Sequence, residues 1–289
     1  MNCSVPIETI CDTAHVVAIY RSLETQRQDA LFQDPLADVL AGERGEASLR
    51  ILGNKQSGVN ATAVRTQGMD ELILQLVERE GIDTVLNLAA GLDTRPYRLP
   101  LPATLRWIEV DLPAIIADKT EKLKHEQPTC YLERVPLDLT NATLRNALFS
   151  RVNREAKRTL VITEGLLVYL STEQVAALAA SLCEQSTFHW WLLDLVSPFT
   201  LQQVQNSFAS YFAEGNVKLQ FAPPTGVEFF QPYGWQITEF RSAWEEAHRL
   251  KREVRLTWLL RLLSRWVMRE PWATFSQRDG IALLKRSHN

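Results

Sequence analysis

Three acidic side chains of this sequence stand at the ends of short apolar runs, where they could hold a ligand: Asp111, Asp138 and Glu164. A carboxylate at the carboxyl end of a buried strand can accept hydrogen bonds from hydroxyl or amino groups of a ligand. Asp111 stands 20 residues beyond Gly91, the glycine that follows an apolar run at residues 84–89. That spacing between a glycine turn and an acidic residue predicts that Asp111 accepts both hydroxyl protons of a ribose.

The elements that would position these carboxylates are apolar runs that alternate with helical patterns. The runs lie at residues 84–89, 105–110, 130–135, 159–163 and 189–195. The helical patterns lie at residues 112–126, 140–152 and 172–184, the last preceded by a capping signal at residues 171–174. This alternation predicts an α/β fold with a mostly parallel sheet, helices on both faces, and a ligand crevice at the strand ends.

A helical lead-in precedes this core, and a looser region follows it. Helical stripes of apolar residues lie at residues 12–31, 34–40 and 60–80, and the second is expected to end at Gly42 and Gly45. Residues 198–216 predict an inserted helix, and residues 235–240 and 280–285 predict a hairpin-like, partly antiparallel pair of final strands. We therefore expect a single domain with three parts. They are a helical cap at residues 1–80, a cofactor-binding core at 81–195, and an insertion or lid with the terminal strands at 196–289.

Composition excludes several classes of function. The 289 residues include 31 basic and 34 acidic side chains, so no global positive field would recruit nucleic acid. Four cysteines without C-x-x-C spacing argue against a disulfide framework and a zinc knuckle, and the histidines lack H-x-x-x-H spacing. The N-terminus lacks a signal-peptide pattern, and no apolar stretch reaches about 18 residues. We expect a cytoplasmic protein without a metal site.

The turn after the first apolar run limits the choice of cofactor. It contains one glycine, Gly91, whereas a dinucleotide site requires G-x-G-x-x-G. Asp93 would also place a negative charge where a pyrophosphate would lie. A ligand with a ribose and no phosphate fits better, and S-adenosylmethionine is the common one.

Four motifs in order carry a specific resemblance. They are NLAAGLDTRPYRL at residues 87–99, IEVDLP at 108–113, LDL at 137–139 and TEGLLVYLS at 163–171. Together they resemble the leucine carboxyl methyltransferase superfamily, in particular its bacterial branch of S-adenosylmethionine-dependent O-methyltransferases, which includes polyketide carboxyl methyltransferases. The likeness runs from about residue 14 to 285. It implies a Rossmann-like class I methyltransferase fold with S-adenosyl-L-methionine as cofactor.

The resemblance also implies roles for the residues nearest the methionyl and ribose groups. Arg65 would pair with the methionyl carboxylate, since a planar guanidinium can bond both oxygens. Ala89 and Gly91 would let the backbone lie against the cofactor, and Asp111 with Leu112 would bind the ribose end. From the residues alone, Arg65 could instead be a solvated helix residue, and Asp111 an ordinary helix cap.

At the adenine and acceptor ends the implied roles involve five further residues. Asp138 would accept from the adenine amine and Leu139 would pack on the ring, although a capping role for Asp138 stays open. Glu164 would face the cationic charges of the cofactor. Tyr169 and Arg21 are candidates for the acceptor pocket, and Tyr169 could instead be a packing residue. Thr140 occupies a position where many relatives carry arginine, so the substrate or its binding mode could differ here.

The sequence indicates the methyl acceptor less directly than it indicates the cofactor. A carboxylate nucleophile is ionised at neutral pH and requires no base, and no histidine falls within the motifs. We therefore expect a small-molecule carboxylic acid as acceptor, with a phenol activated by Glu164 or a tyrosine as the alternative. A nicotinamide-dependent reductase and a cofactor-binding protein without turnover are the rival functions. The basic segment at residues 249–269 is expected to form a lid or domain-packed helix, and a membrane-surface helix is the less favoured reading.

Overall fold

A computed structural model describes residues 10–52, 56–207, 218–253 and 278–287, and these contain a seven-stranded sheet with helices on both faces. The strands are β1 (Thr84–Leu88), β2 (Arg106–Asp111), β3 (Tyr131–Pro136), β4 (Thr159–Thr163), β5 (Phe188–Leu195), β6 (Trp235–Ser242) and β7 (Gly280–Arg286). Their spatial order is β3-β2-β1-β4-β5-β7-β6. Strands β1 to β5 pair in parallel, whereas β7 is antiparallel to both β5 and β6. The predicted α/β class and antiparallel terminal pair are therefore confirmed.

Nine α-helices lie within the described residues. They are α1 (Ile10–Thr25), α2 (Ala37–Leu52), α3 (Gln56–Arg79), α4 (Arg95–Arg98), α5 (Pro113–Lys122), α6 (Ala142–Glu155), α7 (Thr172–Cys183), α8 (Pro198–Ser207) and α9 (Ala243–Arg249). Two 3₁₀ helices occur at Leu167–Tyr169 and Gly226–Tyr233. The predicted capping signal before α7 is present, because Ser171 and Gln174 bond each other's backbone amides.

The central strands are buried on both faces, which explains why they appear as continuous apolar runs in the sequence. Every residue of β1 and of β4 is buried. Along β5 the side chains alternate between two cores: Trp190 packs in the core that includes α3, and Trp191 packs in the core that includes α6 and α7. The sheet therefore forms a rigid platform whose strand ends are held in fixed positions.

A cap of helices lies over the carboxyl ends of the strands. Helix α1 packs against α2 and α3, and its Val16 and Ile19 share a core with Leu40 of α2 and Leu92 of the turn after β1. The sequence stripe predicted this helix, but α1 ends at Thr25, earlier than residue 31. The cap thus contacts the turn on which the predicted ligand site depends.

The second helix is interrupted at Gly42, where its end was predicted, but not at Gly45. Gly42 has non-helical φ and ψ of 52° and −160°, so two helical segments of α2 meet there at a kink, and the second continues to Leu52. At Gly45 an added Cβ would lie 2.7 Å from the Cβ of Ala41 and 3.3 Å from that of Ile19. Gly42 therefore ends the first helical segment as predicted, whereas Gly45 permits close packing on α1.

Two predictions concern residues that are only partly described. The helix predicted at residues 198–216 is present as α8, and residues 208–216 lie outside the described part of the chain. Residues 254–269 of the basic segment also lie outside it. Among its described members, Arg249 pairs with Glu246, and Arg252 pairs with Glu24. Within the described ranges, no helix has the length and hydropathy needed to span a bilayer.

Candidate functional site

A cavity of about 330 Å³ opens at the carboxyl ends of β1, β2, β4 and β5. Helix α1 forms one wall, α8 and the segment around Phe221 form another, and the turns after the strands form the floor. All the predicted cofactor residues line this cavity except Asp138 and Leu139, and both acceptor candidates line it as well. The parallel strands thus bring together residues that lie far apart in the sequence.

The turn after β1 is held in an unusual conformation by Asp111. Ala89 and Gly91 have positive φ angles of 54° and 51°, a region that side chains disfavour. One carboxylate oxygen of Asp111 accepts from the Gly91 amide at 2.6 Å, and the other accepts from the Leu112 amide at 2.7 Å. Helix α5 begins after Leu112 with no side-chain cap, so Asp111 is not its cap. Burial raises the pKa of Asp111, and the two amide bonds oppose that shift only partly.

Arg65 of α3 reaches across to two strand ends. Its Nε donates to Glu164 at 2.9 Å, and its Nη1 donates to Asp194 at 2.9 Å. Within the described part of the chain, no group accepts from its Nη2, and the side chain is 25% exposed at the cavity. Arg65 is therefore an ion-paired cavity residue and not a solvated helix residue.

Neighbouring arginines stabilise the ionised form of Glu164 in the protein without a ligand. Its second oxygen accepts from Nη1 of Arg95 at 2.7 Å. Burial opposes the charged form, but the guanidinium groups of Arg95 and Arg65 outweigh it and hold the pKa of Glu164 below its ordinary value. Both oxygens are engaged, so this carboxylate is a fixed negative charge and a poor proton acceptor.

Arg95 is the centre of a buried ion network under the cavity. Its side chain is 2% exposed and donates to Asp70 at 2.6 Å, to Asp93 at 3.0 Å and to Glu164. Asp93 also accepts from the Asn87 amide at 2.9 Å. Burial opposes the ionisation of Asp93, and Arg95 overcomes it and keeps the pKa of this carboxyl far below its usual range. Asp93 is therefore committed to the network, although it still lines the cavity.

The two acceptor-pocket candidates connect the cap to the site. Nε of Arg21 donates to Asp34 at 2.9 Å, and its Nη2 donates to the carbonyl of Leu92. Tyr169 stands in the 3₁₀ helix Leu167–Tyr169, and its side chain hydrogen-bonds Thr13 of α1. Burial raises the pKa of Tyr169, so the hydroxyl stays protonated at neutral pH. Both residues thus tie α1 to the cavity.

Asp138 and Leu139 lie one strand farther out, after β3. The exposed carboxylate of Asp138 accepts from the amide of Thr140 at 2.9 Å and from its hydroxyl at 2.7 Å. The side-chain cap of α6 is Asn141, so Asp138 is not the cap of that helix. Leu139 packs at the border of the core. Their contacts with an adenine stay a prediction.

Three further residues of the site were missed by the sequence analysis: Asp194, Arg95 and Asp70. The position of Asp194 could have indicated a site residue, because it lies near the end of β5, just as Glu164 follows the end of β4. Arg95 lies within the motif at residues 87–99, but no sequence pattern indicates its ion pair with Asp70, which joins separate elements. Within the described ranges there is no cluster of histidine, cysteine and acidic groups that could hold a metal ion.

The charges of the cavity fit a cationic ligand better than a phosphorylated one. Four carboxylates line it, from Asp93, Asp111, Glu164 and Asp194, against the two guanidinium groups of Arg21 and Arg65. The difference, four minus two, leaves two negative charges in excess. A phosphate would meet net repulsion here, whereas a sulfonium or ammonium group would be attracted.

Comparison with solved structures identifies the fold. A DUF574 family protein from Streptomyces avermitilis superimposes with a TM-score of 0.58 and 14% identity, covering 95% of this chain and 97% of that one. A protein from Thermobifida fusca, described provisionally as a methyltransferase, superimposes with a TM-score of 0.52 and 14% identity, covering 99% and 97%. At this identity the likeness concerns the fold alone.

Sequence comparison is more specific. A Streptomyces coelicolor protein provisionally named an S-adenosyl-L-methionine-dependent methyltransferase is 36% identical over 187 residues, 60% of this chain and 64% of its own length. A Parafrankia protein with the same provisional name is 38% identical over 176 residues, 57% of this chain and 56% of its own. The matched region thus spans less than two thirds of these relatives. The family model for leucine carboxyl methyltransferase matches residues 14–183, more than half of the sequence. The chain therefore belongs to the leucine carboxyl methyltransferase family.

Proposed function

We propose that the protein is an S-adenosyl-L-methionine-dependent O-methyltransferase that acts on a carboxylate of a small molecule. The observation that carries this proposal is the position of the Arg65 guanidinium group, which lies between Glu164 and Asp194 in the wall of the cavity. The turn that Asp111 binds lines the same cavity. A guanidinium group flanked by two carboxylates matches a cofactor with one carboxylate and two positive charges. The names of the relatives support the same cofactor.

In this proposal each end of the cofactor has its own set of protein groups. Nη2 of Arg65 binds the methionyl carboxylate, and Glu164 attracts the ammonium group. Asp111 accepts from the ribose hydroxyls, while the backbone at Gly91 permits close approach. Asp138 and Leu139 would meet the adenine beyond the cavity. When bound, S-adenosylmethionine supplies an electrophilic methyl group.

The acceptor would occupy the apolar part of the cavity. Six apolar residues from the end of β5, from α8 and from the segment after it form this wall: Leu195, Val196, Leu201, Val204, Leu219 and Phe221. Backbone amides of Gln220 and Phe221 bond the carbonyl of Val168, which fixes this segment against the 3₁₀ helix. We infer an acceptor whose body is largely apolar. The chain would align the acceptor and exclude water from it.

The state of the nearby titratable groups favours a carboxylate over a phenol. Both oxygens of Glu164 accept from guanidinium groups, and its pKa is lowered, so it is a poor base. Tyr169 has a raised pKa and would donate a hydrogen bond instead of acting as a base. An acceptor that is already ionised needs no base, and a carboxylic acid meets that condition at neutral pH.

The rival functions are less well supported. A nicotinamide-dependent reductase would need a pyrophosphate site, and the excess of carboxylates at the cavity opposes one. A binding protein without turnover would show the same cofactor site, so only an assay separates it from an enzyme.

The test is methyl transfer from S-adenosylmethionine with a labelled methyl group to a panel of apolar carboxylic acids and phenols. We expect label in an organic product that releases methanol on mild alkaline treatment, as a methyl ester does. An alkali-stable product would point to an ether and reject the carboxylate acceptor. Cofactor binding without transfer to any member of the panel would favour the binding protein.

A further inference from the structure

Asp194 stands at the end of β5 and contacts two parts of the site at once. Its Oδ2 accepts from Nη1 of Arg65 at 2.9 Å, and its Oδ1 accepts from the Gly165 amide at 2.7 Å. The side chain is 16% exposed. Asp194 thus joins the guanidinium group of Arg65 to the backbone after β4.

The two ion pairs of Arg65 fix the orientation of its guanidinium group. This group is planar, and its hydrogen-bond donors point in fixed directions. Once Nε is bound to Glu164 and Nη1 to Asp194, the direction of the remaining arm, Nη2, is determined. Asp194 also holds the turn at Gly165, where φ is 65° and an added Cβ would lie 3.6 Å from Nη1 of Arg65.

An unanchored Arg65 could turn away from the first cavity. A second cavity of about 320 Å³ is also lined by Arg65 and Asp194, together with Glu246 and Asp279, which already accept hydrogen bonds from Arg249 and Ser197. A guanidinium released by Asp194 could turn into this second cavity, because long arginine side chains have many rotamers. Asp194 therefore keeps the positive charge of Arg65 on the side of the first cavity.

We propose that Asp194 is a positioning residue that aims Arg65 at the carboxylate of the cofactor. This inference rests on the proposed function of the same site. It assigns no contact between Asp194 and the ribose or adenine, so its effect is confined to ligands that carry the amino-acid group. With Nε bound to Glu164 and Nη1 bound to Asp194, Nη2 is the nitrogen that faces the cofactor carboxylate and not the acceptor.

The experiment compares two ligands by calorimetry: S-adenosylhomocysteine, which has the amino-acid group, and 5′-methylthioadenosine, which lacks it. The variants are Asp194→Ala and the shape-preserving Asp194→Asn, whose single acceptor oxygen cannot serve both donors. The matched control is Asp118→Asn, since Asp118 is also ion-paired, to Lys122 on α5, and does not line the first cavity.

We expect both Asp194 variants to weaken S-adenosylhomocysteine about tenfold and to change 5′-methylthioadenosine less than about twofold, with no change in the control. Equal losses for both ligands, or no loss for either in a folded Asp194→Asn variant, would overturn the positioning role alone. Failure of the wild-type protein to bind either ligand would instead reject the proposed function, and the inference with it.

Discussion

The two ends of the cavity hold their charges in different ways. At the ion-pair end, formed by Arg65, Arg95, Glu164 and Asp194, each charged group bonds an opposite charge at 2.7 to 2.9 Å. At the backbone-held end, the hydrogen bonds that Asp111 accepts from the described residues come from the main-chain amides at positions 91 and 112. The pKa of Glu164 is lowered, whereas that of Asp111 is raised by burial.

This difference indicates a division of tasks. The ion pairs at the ion-pair end are formed before a ligand binds, so the geometry of this end does not depend on the ligand. Loss of one partner would leave the other charges buried without a counter-charge. The backbone-held end has a carboxylate that is costly to keep ionised and that gains when hydroxyl groups donate to it. In the proposed binding mode, ligand binding and protonation therefore compete at Asp111, while the network at the ion-pair end supports the fold.

The largest effect should come from breaking the ion-pair end. Arg95→Ala leaves Asp70, Asp93 and Glu164 buried without their common partner, and we expect a loss of about 3–5 kcal/mol in the free energy of unfolding. Urea denaturation measures it. The control is Arg151→Ala, because Arg151 makes a half-exposed pair with Glu133 and should cost less than about 1 kcal/mol. Equal costs would show that the network adds nothing beyond surface pairing.

Ligand affinity should separate the two ends. Asp111→Ala removes a charge-assisted acceptor for the ribose, so we expect S-adenosylhomocysteine and adenosine both to bind about ten- to a hundredfold more weakly. Arg65→Ala should weaken S-adenosylhomocysteine by a similar factor and leave adenosine nearly unchanged. Calorimetry on folded variants provides the values. Unchanged affinity in Asp111→Ala would limit that residue to holding the turn.

The pH dependence of nucleoside binding should sharpen the contrast. Asp111 must be ionised to accept from both hydroxyls, and its raised pKa means that protonation begins at higher pH than for an ordinary aspartate. We expect the affinity for 5′-methylthioadenosine to fall as the pH decreases through that range, and to be flat in Asp111→Asn. A wild-type profile that is equally flat would contradict the assignment.

The free energy of unfolding should depend on pH through the carboxylates at and near the ion-pair end. Asp93 and Glu164 have lowered pKa values in the folded protein, so their contribution is fully present above their unfolded pKa values, near 4. It is lost as the pH falls through the folded values. We expect the wild-type free energy of unfolding to drop on acidification below about pH 4, and by less in Asp93→Asn. Parallel curves for the two proteins would argue against a stabilising charge on Asp93.

The smallest effect concerns the turn itself. Gly91→Ala places a side chain at a φ of 51°, where an added Cβ would make only ordinary contact with Ala14 at 3.4 Å. We expect a cost of about 1 kcal/mol from the backbone alone. Gly81→Ala is a matched control, since the φ of Gly81 is 63° and no neighbouring atom of the described residues lies within 4 Å of an added Cβ. A much larger cost at Gly91 than at Gly81 would reveal packing against the cap.

The backbone-held end and two members of the ion-pair end, Arg65 and Glu164, could be located from the sequence, but the ion pairs could not be predicted. The glycine turn and Asp111 follow from a buried strand and a fixed spacing of 20 residues, which are local signals. The strands were found because both faces of the sheet are covered, so each is a continuous apolar run. By contrast, the pairs of Arg65 with Glu164 and Asp194 join residues 99 and 129 positions apart, and no periodicity marks them.

The second helix shows another limit of the sequence patterns. A glycine at a helical position can end a helix or allow a neighbouring helix to approach closely. At Gly45 the second explanation holds, because the space for a side chain is taken by Ala41 and by Ile19 of α1. Only the packing of α1 on α2 distinguishes the two cases.

The central claim is that this cavity binds a cationic, phosphate-free nucleoside cofactor. Calorimetric titration of the wild-type protein with S-adenosylmethionine, NAD and NADP tests it most directly. We expect S-adenosylmethionine to bind at one site per chain and to raise the unfolding temperature, with no binding of either dinucleotide. Binding of NAD or NADP in the absence of any binding of S-adenosylmethionine would contradict the claim.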